Sequence, residues 1–213
     1  MRKSTLTLLT LIFLLTGLLH AQGTDANQDY IKAVTTKNPN QRIQLLKDYL
    51  SKYVGQGTQY ENFVYANLCT TPSAAISQED RINYGEKAIS LGGYDELTNF
   101  KLYITVSGLY IKNGKNLNKA KSYSLKAVQV AKAAKSKETE RTNIARWNQF
   151  IGAGYYNHGQ ALEKANDPKG AVKAYINSFK ILKNAQIIKS IRRLGKKLYD
   201  AKEFKASEEP FQL

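Results

Sequence analysis

The feature that most constrains the fold is a pattern of glycine, aromatic and small residues that is clearest between positions 155 and 178. Tyr155, Gly159 and Leu162 lie on one helical face at i, i+4 and i+7. Asp167 and Pro168 follow, where Asp can cap a second helix and Pro can take its first position without losing a hydrogen bond. This pattern predicts two antiparallel helices joined by a short turn.

The second helix of this unit places small residues where two helices would cross. Ala171 and Ser178 are small, and Tyr175 lies between them at the spacing of one helical turn. Gly159 has no side chain and lets the partner helix approach closely. We therefore predict a tight helix pair, with Ala171 and Ser178 at close contacts and Tyr175 filling the space between them.

The same register recurs on both sides of this unit. Thirty-six residues later, the matching positions are Ile191, Leu194, Gly195 and Leu198, followed by Phe204, Ser207 and Phe211. Fifty-one residues earlier, they are Ile104, Ser107, Gly108 and Ile111, followed by Leu117, Ala120, Ser124 and Ala127. Strand-like alternation is nowhere sustained, so helix is the expected state between the four prolines.

This arrangement resembles the tetratricopeptide repeat. The resemblance implies an all-α fold, an α-solenoid of about four to five antiparallel helix pairs, some of them degenerate. The best repeats are expected at 101–134, 152–185 and 188–213, and degenerate repeats at 27–53 and 60–92. Together they assign residues 22–213 to one helical repeat domain.

The sequence departs from the family pattern in two places. The 51-residue step exceeds the family's 34, so the helix through Ala127 to Lys135 is expected to run long before Asn143 to Gln149 restarts the array. Pro72 would break a helix interior, so a loop is expected between Cys69 and Glu79.

The first residues have the form of an export signal. Arg2 and Lys3 precede an apolar run from Leu6 to Leu19, and Ala21 stands at a plausible cleavage point. The run is shorter than the roughly 20 residues that span a bilayer, which favours a cleaved signal peptide over residues 1–21. A short uncleaved anchor is the alternative. We expect a periplasmic or extracellular protein, most simply a bacterial one.

Charge is distributed unevenly along the chain. Residues 22–100 hold seven Lys and Arg against nine Asp and Glu, whereas residues 101–213 hold 23 against eight. Such an excess attracts acidic proteins, nucleic acids or anionic membranes, although solvated lysine-rich helices are the commoner explanation. Export argues against a nucleic-acid partner.

Catalytic and cofactor chemistry finds little support in the sequence. Once residues 1–21 are removed, Cys69 and His158 are the only Cys and His, and they could in principle act as nucleophile and base. However, His158 falls at a repeat packing position and Cys69 in a helix beside the expected loop, so structural roles are favoured. No cluster of possible ligands has the spacing of a metal site. A single cysteine cannot form an intramolecular disulfide. The stretch from Gly108 to Asn116 differs from a phosphate loop in its spacing and lacks the Ser or Thr for magnesium. We predict a binding scaffold with no cofactor, no metal and no small-molecule substrate, rather than an enzyme.

In stacked helix pairs the first helices line the concave surface, so their non-packing positions are the candidate partner-binding residues. In the last repeat these are Lys189, Arg192, Lys196 and Tyr199, and in the preceding repeat they are Tyr156, Asn157 and Gln160. We hypothesise that this basic groove holds an acidic or carboxy-terminal peptide segment of a protein partner. Solvated lysines on an end helix, or an anionic polymer bound by the basic half, are the alternatives.

The last repeat ends before its second helix is complete, which leaves Phe204 and Phe211 at the end of the array. Repeat arrays normally need a polar cap there, so homo-oligomer formation or partner docking through this end is one expectation. The other is that both rings fold back on the preceding helix pair.

Overall fold

The computed structural model describes residues 25–203, 205–206 and 210, which are helical apart from the turns that join successive helices. No strand occurs among these residues, so the all-α prediction is confirmed for them. The helices are α1 (25–35), α2 (Pro39–Tyr53), α3 (Glu61–Thr70), α4 (Gln78–Leu91), α5 (Glu96–Asn113), α6 (Leu117–Lys137), α7 (Arg141–Lys164), α8 (Pro168–Leu182) and α9 (Ala185–Asp200). The predicted signal peptide, residues 1–21, lies outside the described residues, as do Phe204, Ser207 and Phe211.

Local sequence signals mark the ends of several of these helices. The Asp167 carboxylate accepts a hydrogen bond from the Gly170 N–H at 2.9 Å, and Pro168 occupies the first position of α8, as predicted. Asp95 caps α5 in the same way through the Thr98 N–H. α5 ends at Gly114, whose φ of +71° is a left-handed conformation that glycine adopts at little cost. The glycine therefore terminates the helix.

Successive helices pack against each other along the chain, and α3, α5 and α7 also contact one another in turn. A Cβ atom placed on Gly159 would lie 2.7 Å from the Tyr175 ring, and one on Gly152 would lie 2.6 Å from Leu182 Cγ. Moving back along α7 therefore moves forward along α8, so these two helices are antiparallel. The buried apolar residues form clusters that each join neighbouring helices, and together these clusters run along the array.

Both expected departures from a regular repeat are present. α3 ends at Thr70 and α4 begins at Gln78, so Pro72 lies in the connecting segment rather than in a helix. α6 has 21 residues and α7 has 24, which accounts for the long step between Gly108 and Gly159. The extra helical turns lie at the end of α6 and the start of α7.

The structure places nearly all the predicted packing residues in the interior. Tyr155 and Leu162 are half-buried and join the apolar clusters from their edges. The buried ones are Ala120, Ala127, Gly159, Ala171, Tyr175, Ser178, Leu194, Gly195 and Leu198. Ser178 donates a hydrogen bond to the Gly152 carbonyl at 2.8 Å, so a small hydroxyl links α8 directly to the α7 backbone.

Gly108 differs from the expectation of a close helix crossing. It is half-buried, and a Cβ atom placed on it would lie 3.6 Å from Asn157 Nδ2, which is ordinary van der Waals contact. The neighbouring Ser107 is fully buried and lies against α6, with its Oγ 2.8 Å from the Ala120 carbonyl oxygen. α5 is thus rotated by one residue relative to the register of Gly159, because a serine makes the contact with the next helix.

These two glycines give a matched test of helix packing. We expect Gly159→Ala to lower the free energy of unfolding by about 1–2 kcal/mol, because its methyl group overlaps the buried Tyr175 ring. Gly108→Ala should instead raise it by up to about 1 kcal/mol, since alanine favours helix and the position has room. Urea unfolding followed by circular dichroism measures both changes. Equal effects of the two substitutions would contradict the assigned packing.

A half-buried carboxylate connects α4 to the two helices that follow. Glu86 accepts hydrogen bonds from the Tyr110 hydroxyl at 2.7 Å and the Tyr123 hydroxyl at 2.8 Å, and pairs with Lys119 at 3.0 Å. Burial raises the pKa of the Glu86 carboxyl, but the hydrogen bonds from Tyr110, Lys119 and Tyr123 outweigh burial, so its pKa lies below the ordinary value. The charged form of Glu86 is therefore the one that stabilises the fold.

This network predicts a pH-dependent contribution to stability. Because the folded-state pKa is lowered, the contribution is complete above the ordinary value of 4.5 and is lost as pH falls through the folded-state pKa. At pH 7 Glu86→Gln should lower the free energy of unfolding by about 1–3 kcal/mol. The difference between the native protein and the variant should shrink in urea titrations below about pH 4.5. A difference that stays constant down to pH 3 would show that the charge of Glu86 is not what matters.

Candidate binding groove

A groove of about 450 Å³ lies between α7 and α9, with the end of α5 at its edge. The α7 residues in the groove lie at i, i+4, i+7 and i+8, starting from Tyr156, and therefore share one face of that helix. The lining residues are Ile111, Tyr156, Gln160, Glu163, Lys164, Tyr175, Ser190 and Arg193. The groove thus combines cationic, amide, hydroxyl and aromatic groups around one carboxylate.

An ion pair joins the two helices across this groove. Arg193 Nη2 lies 2.6 Å from Glu163 Oε1, and the Tyr175 hydroxyl donates to Glu163 Oε2 at 3.0 Å. Burial, together with the nearby Glu163 charge, raises the pKa of Tyr175, so the phenol stays protonated as a donor. The side chains of Arg193 and Glu163 are 57% and 30% exposed, so the ion pair remains open to solvent and to an incoming group. Exposed pairs of this kind contribute about 0–1 kcal/mol to stability.

Two of the seven residues predicted from the sequence line the groove. Tyr156 and Gln160 are half-buried on its α7 side, and the Tyr156 ring lies 5.6 Å from the Tyr175 ring at 45°. Asn157 lies one residue further round α7 and points towards α5, with its Oδ1 2.6 Å from Ser107 Oγ. Asn157 therefore contributes to contacts between helices at the margin of the groove.

The predicted stripe on α9 has a different position from the one expected. Lys189, Arg192, Lys196 and Tyr199 are exposed, but none of them lines the groove. Lys196 pairs with Asp200 within its own helix at 2.8 Å. The α9 residues that face α7 are instead Ser190 and Arg193, and Lys197 contacts Asn166 in the turn after α7. Each lies one position along the chain from a predicted residue.

The reason for this difference is helix rotation. One residue along an α-helix turns the side chain by about 100°, so Arg192 and Arg193 point to different neighbours. Sequence spacing identified the exposed side of α9 but not the sector that meets α7. The groove residues missed by sequence reasoning are Glu163, Lys164, Ser190 and Arg193. An opposite-charge pair between Glu163 and Arg193 was the available signal, although 30 residues separate them.

The two residues considered for catalysis lie in packed surroundings. Cys69 is fully buried, and burial raises the pKa of its thiol to about 12, so it is protonated at neutral pH. His158 Nδ1 lies 2.9 Å from Ser124 Oγ, and burial lowers the pKa of the imidazole below its ordinary value. Both side chains fill contacts between helices, Cys69 within the cluster around α3 to α6 and His158 between α6 and α7.

Within the residues that the structure describes, no group of three or more His, Cys, Asp and Glu side chains is placed to hold a metal ion. None of the helices in this part of the chain has the length and apolar character required to cross a bilayer. Comparison of the chain with protein-family models and with curated proteins gives no match. The groove must therefore be interpreted from its own geometry.

Proposed function

We propose that this protein is an exported scaffold of tetratricopeptide-repeat type that binds a protein partner through the groove between α7 and α9. The preferred ligand is an acidic or carboxy-terminal peptide segment. The observation that carries the proposal is the position of Arg193 and Lys164 on opposite walls of one open groove, with Gln160 and Ser190 beside them. Binding, rather than catalysis, is the function that these residue types suit.

The chemistry of the groove matches an extended peptide that carries a carboxylate. Arg193 can hold a carboxylate through two parallel hydrogen bonds, and Lys164 adds a second positive charge. Among the described residues Lys164 forms no ion pair. Gln160 and Ser190 can bond the peptide backbone, and the Tyr156 ring offers an apolar surface for a neighbouring side chain.

Glu163 sets the condition under which a ligand can bind. The Glu163 carboxylate already pairs with Arg193, so an incoming carboxylate must displace Glu163 or share the guanidinium with it. A simple carboxylate gains little from such an exchange, whereas a peptide adds backbone and side-chain contacts along the groove. This competition favours peptides over small carboxylic acids. An acidic segment is favoured only where its backbone and side chains also contact the groove.

The groove proposal makes a sharp prediction for two neighbouring arginines. Peptides with free carboxyl termini would be selected from a random display library, and the enriched sequences measured by fluorescence anisotropy. Arg193→Ala should weaken binding by about tenfold or more, whereas Arg192→Ala, which removes the same charge one residue away, should change it less than about twofold. Glu163→Gln should tighten binding, because Arg193 is released.

Other outcomes would separate the alternatives. If Arg192→Ala and Lys196→Ala weaken binding and Arg193→Ala does not, the site is the exposed stripe on α9. If all lysine and arginine substitutions act alike and binding falls steeply with salt, the protein is an anionic-polymer binder. If the selection enriches no peptide more strongly than the same selection on an unrelated helical protein, peptide binding is contradicted altogether.

Export is the second part of the proposal and is supported by the charged and apolar character of residues 1–21. Expression of the full chain in a bacterium should yield a protein whose intact mass lacks this segment and which is released with the envelope fraction. An unchanged mass in the cytosolic fraction would contradict export. Replacing Leu11 and Leu14 with Arg should block processing, because the apolar run is then interrupted.

A further inference from the structure

A second cavity, of about 620 Å³, lies on another side of α7 from the groove. α6 and α8 form its walls and α7 its floor. Its lining residues are Lys132, Lys135, Ser136, Asn148, Ile151, Tyr155, Asn177, Lys180 and Ile181. The cavity shares no lining residue with the groove, since Tyr155 faces one and Tyr156 the other. The two sites can therefore be altered independently.

The cavity depends on the extra helical turns of α6 and α7. Lys132, Lys135 and Ser136 lie in the last two turns of α6, and Asn148 lies in the first half of α7. The longer step between repeats therefore supplies several of the residues that line this cavity. The added turns of α6 and α7 still pack against each other, with Ala131 and Ile151 in one buried cluster, and the polar side chains beside that contact line a cleft facing the end of α8.

Positive charge dominates this cavity. None of the described residues that line it is acidic. Lys132 Nζ lies 2.8 Å from the Tyr155 hydroxyl and 5.2 Å from the centre of its ring, so this side chain positions the ammonium. Lys135 is half-buried, and within the described part of the chain it pairs with no carboxylate. Among the described lining residues, an anion entering the cavity meets no competing carboxylate.

Two of the remaining polar groups are suited to donating hydrogen bonds to that anion. The amides of Asn148 and Asn177 can each donate, whereas the Ser136 hydroxyl already donates to the Ala133 carbonyl at 2.8 Å. Lysine ammonium groups act as point charges with three donors, and the described lining includes no arginine that would favour a planar carboxylate. Several donors arranged around one space match the tetrahedral oxygens of a phosphate group.

Apolar surface completes the cavity. Ile151 is 5% exposed and forms part of the floor, while the half-buried Ile181 and the Tyr155 ring lie beside it. A bare inorganic ion would leave this surface uncovered. A ligand with an apolar body next to its charge would bury it, and the volume is within the usual range for small-molecule sites.

We propose that this cavity binds a small organic phosphate monoester, with the phosphate held by Lys132 and Lys135 and the apolar body resting on Ile151 and Ile181. The proposal does not depend on peptide binding in the groove. It also gives two lysines of the basic carboxy-terminal half, Lys132 and Lys135, a specific role in binding phosphate. Phenyl phosphate is a suitable probe because it joins an aromatic ring to a phosphate dianion.

Calorimetry with phenyl phosphate, inorganic phosphate and phenol tests both parts of the site. Phenyl phosphate should bind about tenfold more tightly than inorganic phosphate, because the ring buries apolar surface. Phenol should bind far more weakly than either, since it lacks the charge. In methyl-labelled protein, phenyl phosphate should shift the NMR signals of Ile151 and Ile181 and leave that of Ile111, in the groove, unchanged.

A pair of double variants with equal loss of charge distinguishes this site from general attraction. Lys132→Gln with Lys135→Gln should weaken phenyl phosphate binding by about tenfold or more, whereas Lys112→Gln with Lys115→Gln should change it less than about twofold. Lys112 and Lys115 are exposed and lie outside the cavity. Arg193→Ala, in the groove, should also leave this affinity unchanged.

Several results would overturn the proposal. Equal weakening by both double variants would show that phosphate is attracted by net charge alone. Equal affinity for inorganic phosphate and phenyl phosphate would remove the role of the apolar floor. If the Lys132 and Lys135 variant does not fold, the methyl shifts of the native protein still decide the matter, because unchanged Ile151 and Ile181 signals at saturating phenyl phosphate exclude binding in this cavity.

Discussion

Close approach of neighbouring helices to the α7 backbone is the constraint on which the rest of this structure depends. Gly154 faces Val128 of α6, and Gly159 faces Tyr175 of α8, in each case at a distance that leaves no room for a further carbon atom. A methyl group at either position would push a neighbour outward. Because α6 and α8 are both anchored to α7 in this way, the surfaces left between them are determined by the rotation of α7.

Both candidate sites follow from that rotation. With two sectors of α7 committed to α6 and α8, one remaining sector carries Tyr156 and Gln160 towards α9, and another carries Asn148 and Tyr155 into the cleft between the helices. The cleft is lined by residues from the last turns of α6, from α7 and from the end of α8. The glycine contacts of α7 and the extra length of α6 and α7 are both encoded in the sequence. Together they place two chemically distinct surfaces on α7.

The sequence predicted which residues share a helical face, but not which neighbour that face meets. Periodicity and caps such as Asp167 and Pro168 were sufficient to predict helices α5 to α9. The register failed by one residue at Gly108, where Ser107 makes the contact, and again at Arg192, where Arg193 faces the groove. Such shifts are set by contacts between residues far apart in sequence, which local spacing does not contain. The cavity lay in the part of the repeat that departs from the family pattern, where the resemblance gave no guidance.

The different internal partners of the two cationic surfaces imply different selectivity. In the groove, Arg193 is paired with Glu163, so a ligand gains only the difference between its own contacts and those that it displaces. In the cavity, Lys132 donates to the Tyr155 hydroxyl rather than to a carboxylate, so a small anion displaces no opposite charge from it. The groove should therefore discriminate by the length and shape of its ligand, and the cavity by charge. Added salt weakens the second more than the first, because a site that depends on uncompensated charge is the more strongly screened.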